Sequence, residues 1–136
     1  MVTGINHVTL SVRDVPASFD FYCRVLGFQP RLRWARGAYL SAGALWLALT
    51  LDDQVRSGPL PEYTHIAFQI EPARFPAFCE HLRQAGVTEW QPNSSEGESI
   101  YLLDPDGHKL EVHCSDLEAR LADARARGWA DFEYFD

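Results

Sequence analysis

One short alternating segment occurs twice in this chain of 136 residues, and the repeat constrains the fold more than any other feature. Residues 5–12 read Ile-Asn-His-Val-Thr-Leu-Ser-Val. Asn6, Val8, Leu10 and Val12 share one face, while Ile5, His7, Thr9 and Ser11 share the other, which is the period of a half-buried strand. Residues 63–70 read Tyr-Thr-His-Ile-Ala-Phe-Gln-Ile, again with histidine in third place, so His65 stands where His7 stands. A helical stripe follows each copy. Val15, Phe19, Tyr22 and Leu26 come behind Asp14 as N-cap with Pro16 in the first turn; Phe75, Phe78, Cys79 and Leu82 come with Pro76 early. Gly27 and Gly86 supply the C-terminal stops. Three strand-like runs follow each helix, at about 29–34, 38–41 and 45–51, then at about 88–91, 99–103 and 109–114, with turns rich in Gly, Pro and Asp.

The pattern predicts an α+β fold of paired βαβββ modules that curl into an open barrel around a cleft. Module one covers about residues 4–53, a linker about 54–61, module two about 62–114, and a C-terminal helix and tail 115–136, all within one domain of 15.4 kDa. In the tail, Ser115 and Glu118 read as a capping box, Leu117, Leu121 and Ala124 as the buried stripe, and Gly128 as the stop.

Charge narrows the partners. Nineteen acidic against twelve basic side chains give a net charge of -7, which argues against broad nucleic-acid binding because phosphates demand a basic face. No apolar run approaches the roughly 18 residues of a membrane span, and the N-terminus lacks the layout of a signal peptide. Cys23, Cys79 and Cys114 are odd in number and form no CxxC, so they read as reduced, structural thiols of a cytoplasmic protein.

Strand parity gives the repeat chemical content. His7 and His65 lie at matched positions on the more polar faces, and Lys109, Glu111 and His113 share one face of the last strand. Two imidazoles and the Glu111 carboxylate converging in the cleft would suit manganese, iron or zinc and leave coordination positions for a substrate. A single strand histidine is more often a satisfied polar residue than a ligand; the matched pair is what singles these two out. His81, in a helix, His108, in a turn, and His113 have no such match and are expected to be structural. Ala48 falls near the counterpart of Glu111, so three protein ligands are expected.

The stretches DVPASFDFYCRVLGF, RWARGAYLSAGALWLAL, EYTHIAF, NSSEGESIYLLDPDGHKLEVH and DLEARLADAR, in this order over nearly the whole chain, resemble the vicinal oxygen chelate superfamily. More narrowly they resemble the fosfomycin-resistance glutathione transferases of the FosA type. The resemblance implies manganese held by His7, His65 and Glu111, and a potassium loop at Asn93, Ser95, Gly97 and Ser99. It implies a substrate phosphonate met by Thr9, Ser95, Ser99, Tyr101 and Arg120, with Trp46 and Tyr63 lining the cleft and Tyr39 beside the glutathione thiolate. It also implies a homodimer in which His7 of one subunit joins His65 and Glu111 of the other. Read without it, the loop is a plain solvated turn, Arg120 an exposed helix arginine, and the aromatics packing residues.

Two positions depart from that family. Gln91 replaces a lysine that reaches the phosphonate, and Ser94 replaces a basic residue near the glutathione channel; Arg36 is a candidate replacement cation. The residue pattern leaves other readings open. An epoxide hydrolase of the same lineage would use a glutamate, which residues 43–50 lack. A ring-cleaving dioxygenase would use the same two-histidine, one-carboxylate set with iron. A drug-sequestering dimer would need no metal at all.

Overall fold

The computed structural model describes residues 1–93 and 97–135. Its strands form two four-stranded sheets of the same design. β1 (Val8–Val12), β2 (Gln29–Trp34), β3 (Gly37–Ala42) and β4 (Leu45–Leu51) pair in the order β1-β4-β3-β2. β5 (Ile66–Gln69), β6 (Glu89–Gln91), β7 (Ser99–Leu103) and β8 (Lys109–His113) pair as β5-β8-β7-β6. The first and last strands of each set run parallel and the others antiparallel. Registers superpose as the repeat requires: Thr9 faces Ala48 and Ala67 faces Glu111, while Tyr39 faces Ala48 and Tyr101 faces Glu111. Ala48 therefore holds the register position of Glu111.

Both histidine strands are shorter than the alternation predicts. Pairing begins at Val8 and Ile66, so His7 and His65 are the last residues before each ladder. Their rings sit at the open end of each sheet, released from the pleat but fixed in position by the strand that follows.

The first helix is capped by Asp14, whose side chain accepts from the Ala17 amide at 2.9 Å. α1 (Val15–Asp20) continues not as α-helix but as a π-helical turn over Phe21–Val25. The chain then turns through Gly27, and the amide of Phe28 bonds the Tyr22 carbonyl at 2.9 Å. Tyr22 is fully buried there and donates its hydroxyl to Asp104 Oδ2 at 2.7 Å. α2 (Phe75–Gln84) buries Leu82 and has a 3-10 turn, Pro72–Arg74, before it. α3 (Leu117–Arg127) corrects the expected capping box. Asp116, not Ser115, is the N-cap and accepts from the Ala119 amide at 2.9 Å. Starting one residue later places Leu117 in the first helical position, 68% exposed, so the stripe is reduced to half-buried Leu121 and buried Ala124.

The core runs through both halves, from Val12, Leu40, Leu47 and Leu49 to Leu82, Leu102 and Leu110, and the edge of Phe28 meets Phe68 across the join. A polar seam reinforces it. The Asp104 carboxylate accepts from the amides of Asp106 and His108, both at 2.9 Å, and Asp106 accepts from the Arg13 amide at 3.1 Å and the Ser18 hydroxyl at 3.3 Å. His108 donates Nε2–H to the Ser11 carbonyl at 2.8 Å and takes an Arg56 N–H at Nδ1 at 2.9 Å. Gly107 makes this turn possible: its φ is +79°, and a Cβ would lie 2.4 Å from the Gly58 carbonyl oxygen. Burial raises the pKa of Asp104; burial, with the Asp104 charge beside it, raises that of Tyr22. Among the described residues, no helix is long and apolar enough to cross a membrane.

Candidate active site

The second sheet gathers its chemistry around His65. The ring turns Nδ1 to the Tyr63 carbonyl at 2.9 Å. A carbonyl only accepts, so Nδ1 carries the hydrogen and Nε2 of the neutral ring is a lone pair. That lone pair lies 3.0 Å from Glu111 Oε2, another acceptor. Two acceptors at this separation require a positive species between or beside them, either a proton on Nε2 or a metal ion. A histidine oriented by a backbone carbonyl through its other nitrogen is the usual supporting contact of a metal ligand. The donor set therefore fits a divalent cation.

Glu111 is 6% exposed, and its second oxygen accepts from the Ser99 hydroxyl at 2.6 Å. Ser99 Oγ in turn lies 2.5 Å from His113 Nδ1. Aromatic rings wall the pair: Tyr63, Trp90 and Tyr101 lie 4.9, 5.5 and 6.0 Å from the His65 ring. Trp90 is fixed by its indole N–H to the Leu110 carbonyl at 3.0 Å, and the Lys109 ammonium sits 4.9 Å over its ring.

The first sheet presents only His7. Its Nδ1 faces the Asn6 side-chain oxygen at 2.7 Å, so the same tautomer results and Nε2 is again the lone pair. The ring is exposed and lies 4.4 Å from that of Trp46. Trp46, Tyr39 and Trp34 continue as a row of edge-on rings.

The three expected ligands do not converge within one chain. His65 and Glu111 meet, but among the described residues no group of three or more His, Cys, Asp or Glu side chains is set to hold a metal. The reason is topological: His7 belongs to the other sheet and is stacked on that sheet's own tryptophan.

The remaining candidates fall in several places. Thr9 lines, with His65, Ser11 and Lys109, a cavity of about 600 Å³ between β1 and β5. Tyr101 is buried beside His65 and Trp90, and Gln91 donates to the Tyr63 hydroxyl at 3.3 Å. Asn93 donates its side-chain amide to the Gly97 carbonyl at 2.8 Å. Ser95 lies outside the described residues, as does Ser94. Arg120 stands exposed on α3.

His113, expected to be structural for want of a partner, is instead bonded into the Glu111 network. Its shared parity with Glu111 was the available signal. Trp90 and Lys109 were likewise not singled out as site residues. His81 does hold structure, with Nε2 3.1 Å from the carbonyls of Arg24 and Val25. All three cysteines are free thiols whose pKa values burial pushes up.

Residues 4–112 match the profile of the Glyoxalase/Bleomycin resistance protein/Dioxygenase superfamily. The chain belongs to this superfamily. It is 46% identical over 132 residues to glutathione transferase FosA of Serratia marcescens, covering 96% of this chain and 94% of that protein. It is 42% identical to metallothiol transferase FosB of Shouchella clausii (strain KSM-K16), covering 90% and 87%. Among solved structures it is similar to the fosfomycin resistance protein FosX of Listeria monocytogenes, with a TM-score of 0.78 and 28% identity over 90% of this chain and 99% of that one. A mutant of that FosX, complexed with Mn(II) and 1S,2S-dihydroxypropylphosphonic acid, gives a TM-score of 0.77 at 27% identity, over 90% and 99% of the two chains.

Proposed function

We propose that this protein is a manganese-dependent glutathione transferase that opens the epoxide of fosfomycin or a related small phosphonate. The observation that carries the reading is the His65–Glu111 pair: imidazole Nε2 held 3.0 Å from a buried carboxylate oxygen, with the ring's other nitrogen tied to a carbonyl. The names of the FosA and FosB relatives supply the thiol-transfer chemistry, and that of the FosX complex supplies Mn(II) and a phosphonate.

In this reading His65 and Glu111 of one subunit and His7 of its partner hold the metal, which supplies Lewis acidity toward the oxirane oxygen. The equal tautomers of the two histidines support a shared site, since each offers Nε2. The exposed rings of Trp46 and of Trp34 at the end of β2, a strand exposed along its whole length, support a second copy as the surface that completes it.

Thr9, Gln91, Ser95, Ser99, Tyr101 and Arg120 bind and orient the phosphonate, Trp46 and Tyr63 line the cleft, and Tyr39 donates a hydrogen bond to the glutathione thiolate. Asn93, Ser95, Gly97 and Ser99 form the loop that takes K⁺. The thiolate sulfur bonds the less hindered epoxide carbon, the C–O bond at that carbon breaks, and the oxygen takes a proton to become the hydroxyl of the adduct. The protein's part is to hold sulfur and carbon in line.

The test is detection of the glutathione–fosfomycin adduct after the protein is stripped of metal and given Mn(II), with and without K⁺. Adduct that needs Mn(II) and is lost in Glu111→Ala is the expected result. Bound Mn(II) with no adduct would overturn the substrate assignment.

A further inference from the structure

The residues behind Glu111 extend the metal reading above and rest on it. Ser99 has one hydroxyl proton and two close neighbours, Glu111 Oε1 at 2.6 Å and His113 Nδ1 at 2.5 Å. An ionised carboxylate has no hydrogen to give, so the serine proton goes to Glu111. His113 must then donate Nδ1–H to Ser99 Oγ. Its Nε2 is left as a bare acceptor, buried and without a hydrogen-bond partner among the described residues. Among the described residues the serine contact is the ring's one hydrogen bond.

The equivalent register in the first sheet shows that the fold does not require this chain. There Gly37 and Thr50 stand opposite each other as Ser99 and His113 do here, and Ala48 stands in place of Glu111. Gly37 is fixed by packing, since a Cβ would lie 2.6 Å from the Leu49 carbonyl oxygen and from the Trp34 ring. The polar series occurs only where the carboxylate does.

We propose that His113 and Ser99 are positioning residues, a relay from His113 Nδ1–H through Ser99 Oγ–H to Glu111 Oε1 that aims Oε2 at His65 Nε2 before a metal arrives. Supporting contacts of this kind are worth about 10–100-fold in metal affinity.

The experiment titrates the full-length, metal-free protein with Mn(II), following free Mn(II) by electron paramagnetic resonance. Ser99→Ala and His113→Phe are expected to weaken Mn(II) binding about 10–100-fold. His113→Asn, whose amide N–H lies where Nδ1–H lay, should stay within about threefold of the parent. Wild-type affinity in His113→Phe, or an equal loss in His113→Asn, would overturn the relay. A second measurement is independent of metal and of turnover. Long-range proton–nitrogen correlation spectra of the metal-free protein should show His113 as the Nδ1–H tautomer, and an Nε2–H tautomer would also overturn the relay. Failure of the unmodified chain to bind Mn(II) would instead overturn the metal reading, with the tautomer still deciding whether the relay exists.

Discussion

The two sheets share a register and differ in what they carry along it. At the position where the second sheet places Glu111, backed by Ser99 and His113, the first places Ala48, backed by Gly37 and Thr50. Both copies keep a histidine at the open end of the first strand, yet among the described residues only His65 has a carboxylate within hydrogen-bond reach. The duplicated unit thus supplies one sheet with a nearly finished ligand pair and the other with a single imidazole beside exposed aromatics. A chain built this way holds the three side chains of the proposed site but brings only two of them together. Completion by a second copy follows from that asymmetry under the proposed function.

Removing the carboxylate breaks the comparison most completely. Glu111→Ala is expected to weaken Mn(II) binding by at least about 100-fold, because one of the three proposed protein ligands, and the one that carries charge, is lost. Calorimetric titration with Mn(II) measures it, and binding within tenfold of the parent would contradict the ligand assignment.

The converse change asks whether the first sheet tolerates what the second contains. Ala48 is 5% exposed, and Ala48→Glu would bury a carboxylate with no Ser99 or His113 counterpart behind it. A loss of about 3 kcal/mol or more is expected in urea unfolding. An unchanged midpoint would mean that the first sheet is not committed to an apolar register.

Gln91→Lys tests the substrate side of the second sheet. A charge-assisted contact to a phosphonate is worth about 1.5–3 kcal/mol, so kcat/KM for fosfomycin should rise about tenfold or more. No gain, with the adduct still formed, would show that Gln91 does not face the phosphonate.

The smallest effect compares two aspartates near the ends of the modules. Asp52, which accepts from the Ser11 hydroxyl and the Gln54 amide, has its pKa lowered by those bonds. Asp104, inside the seam, has its pKa raised by burial above the ordinary 3.8. In the window between 3.8 and its raised value, Asp104 binds more proton folded than unfolded, so its contribution falls as pH rises through that window. Asp52 acts oppositely: its contribution is present above its unfolded value and is lost as pH falls through its lowered one. Thermal melts across the acid range should therefore show a flatter decline on the rising-pH side in Asp104→Asn than in the parent. An identical profile would remove Asp104 from the linkage.

Much of this was legible in the sequence because it rests on short-range pattern. Alternation, helical stripes and the glycine stops placed the eight strands and three α-helices of the described residues, and the DPDG turn marked where module two folds back. The π turn over Phe21–Val25 was not legible in the helical stripe, nor was the bond by which Tyr22, within it, reaches Asp104 across the fold. Nor was the cap of α3, where adjacent Ser115 and Asp116 compete and the aspartate prevails. At the site, parity put Glu111 on one face of its strand, and its carboxylate lies 3.0 Å from His65 Nε2. Parity also put His113 on that face, but its partner is Ser99 on another strand, and no spacing rule links the two. The separation of His7 from the other ligands could not be read from a repeat, which reports equivalence and not proximity.

The most direct test of a site shared between subunits is complementation of two inactive variants. His7→Ala and Glu111→Ala are each expected to be inactive in adduct formation. In a mixed dimer one of the two sites draws its His7 from the Glu111→Ala subunit and its His65 and Glu111 from the His7→Ala subunit, and is whole. With random pairing half of the dimers are mixed, so co-refolded protein should regain about a quarter of the parent's Mn(II)-dependent activity. No regained activity, with mixed dimers demonstrated by mass spectrometry, would contradict the shared site.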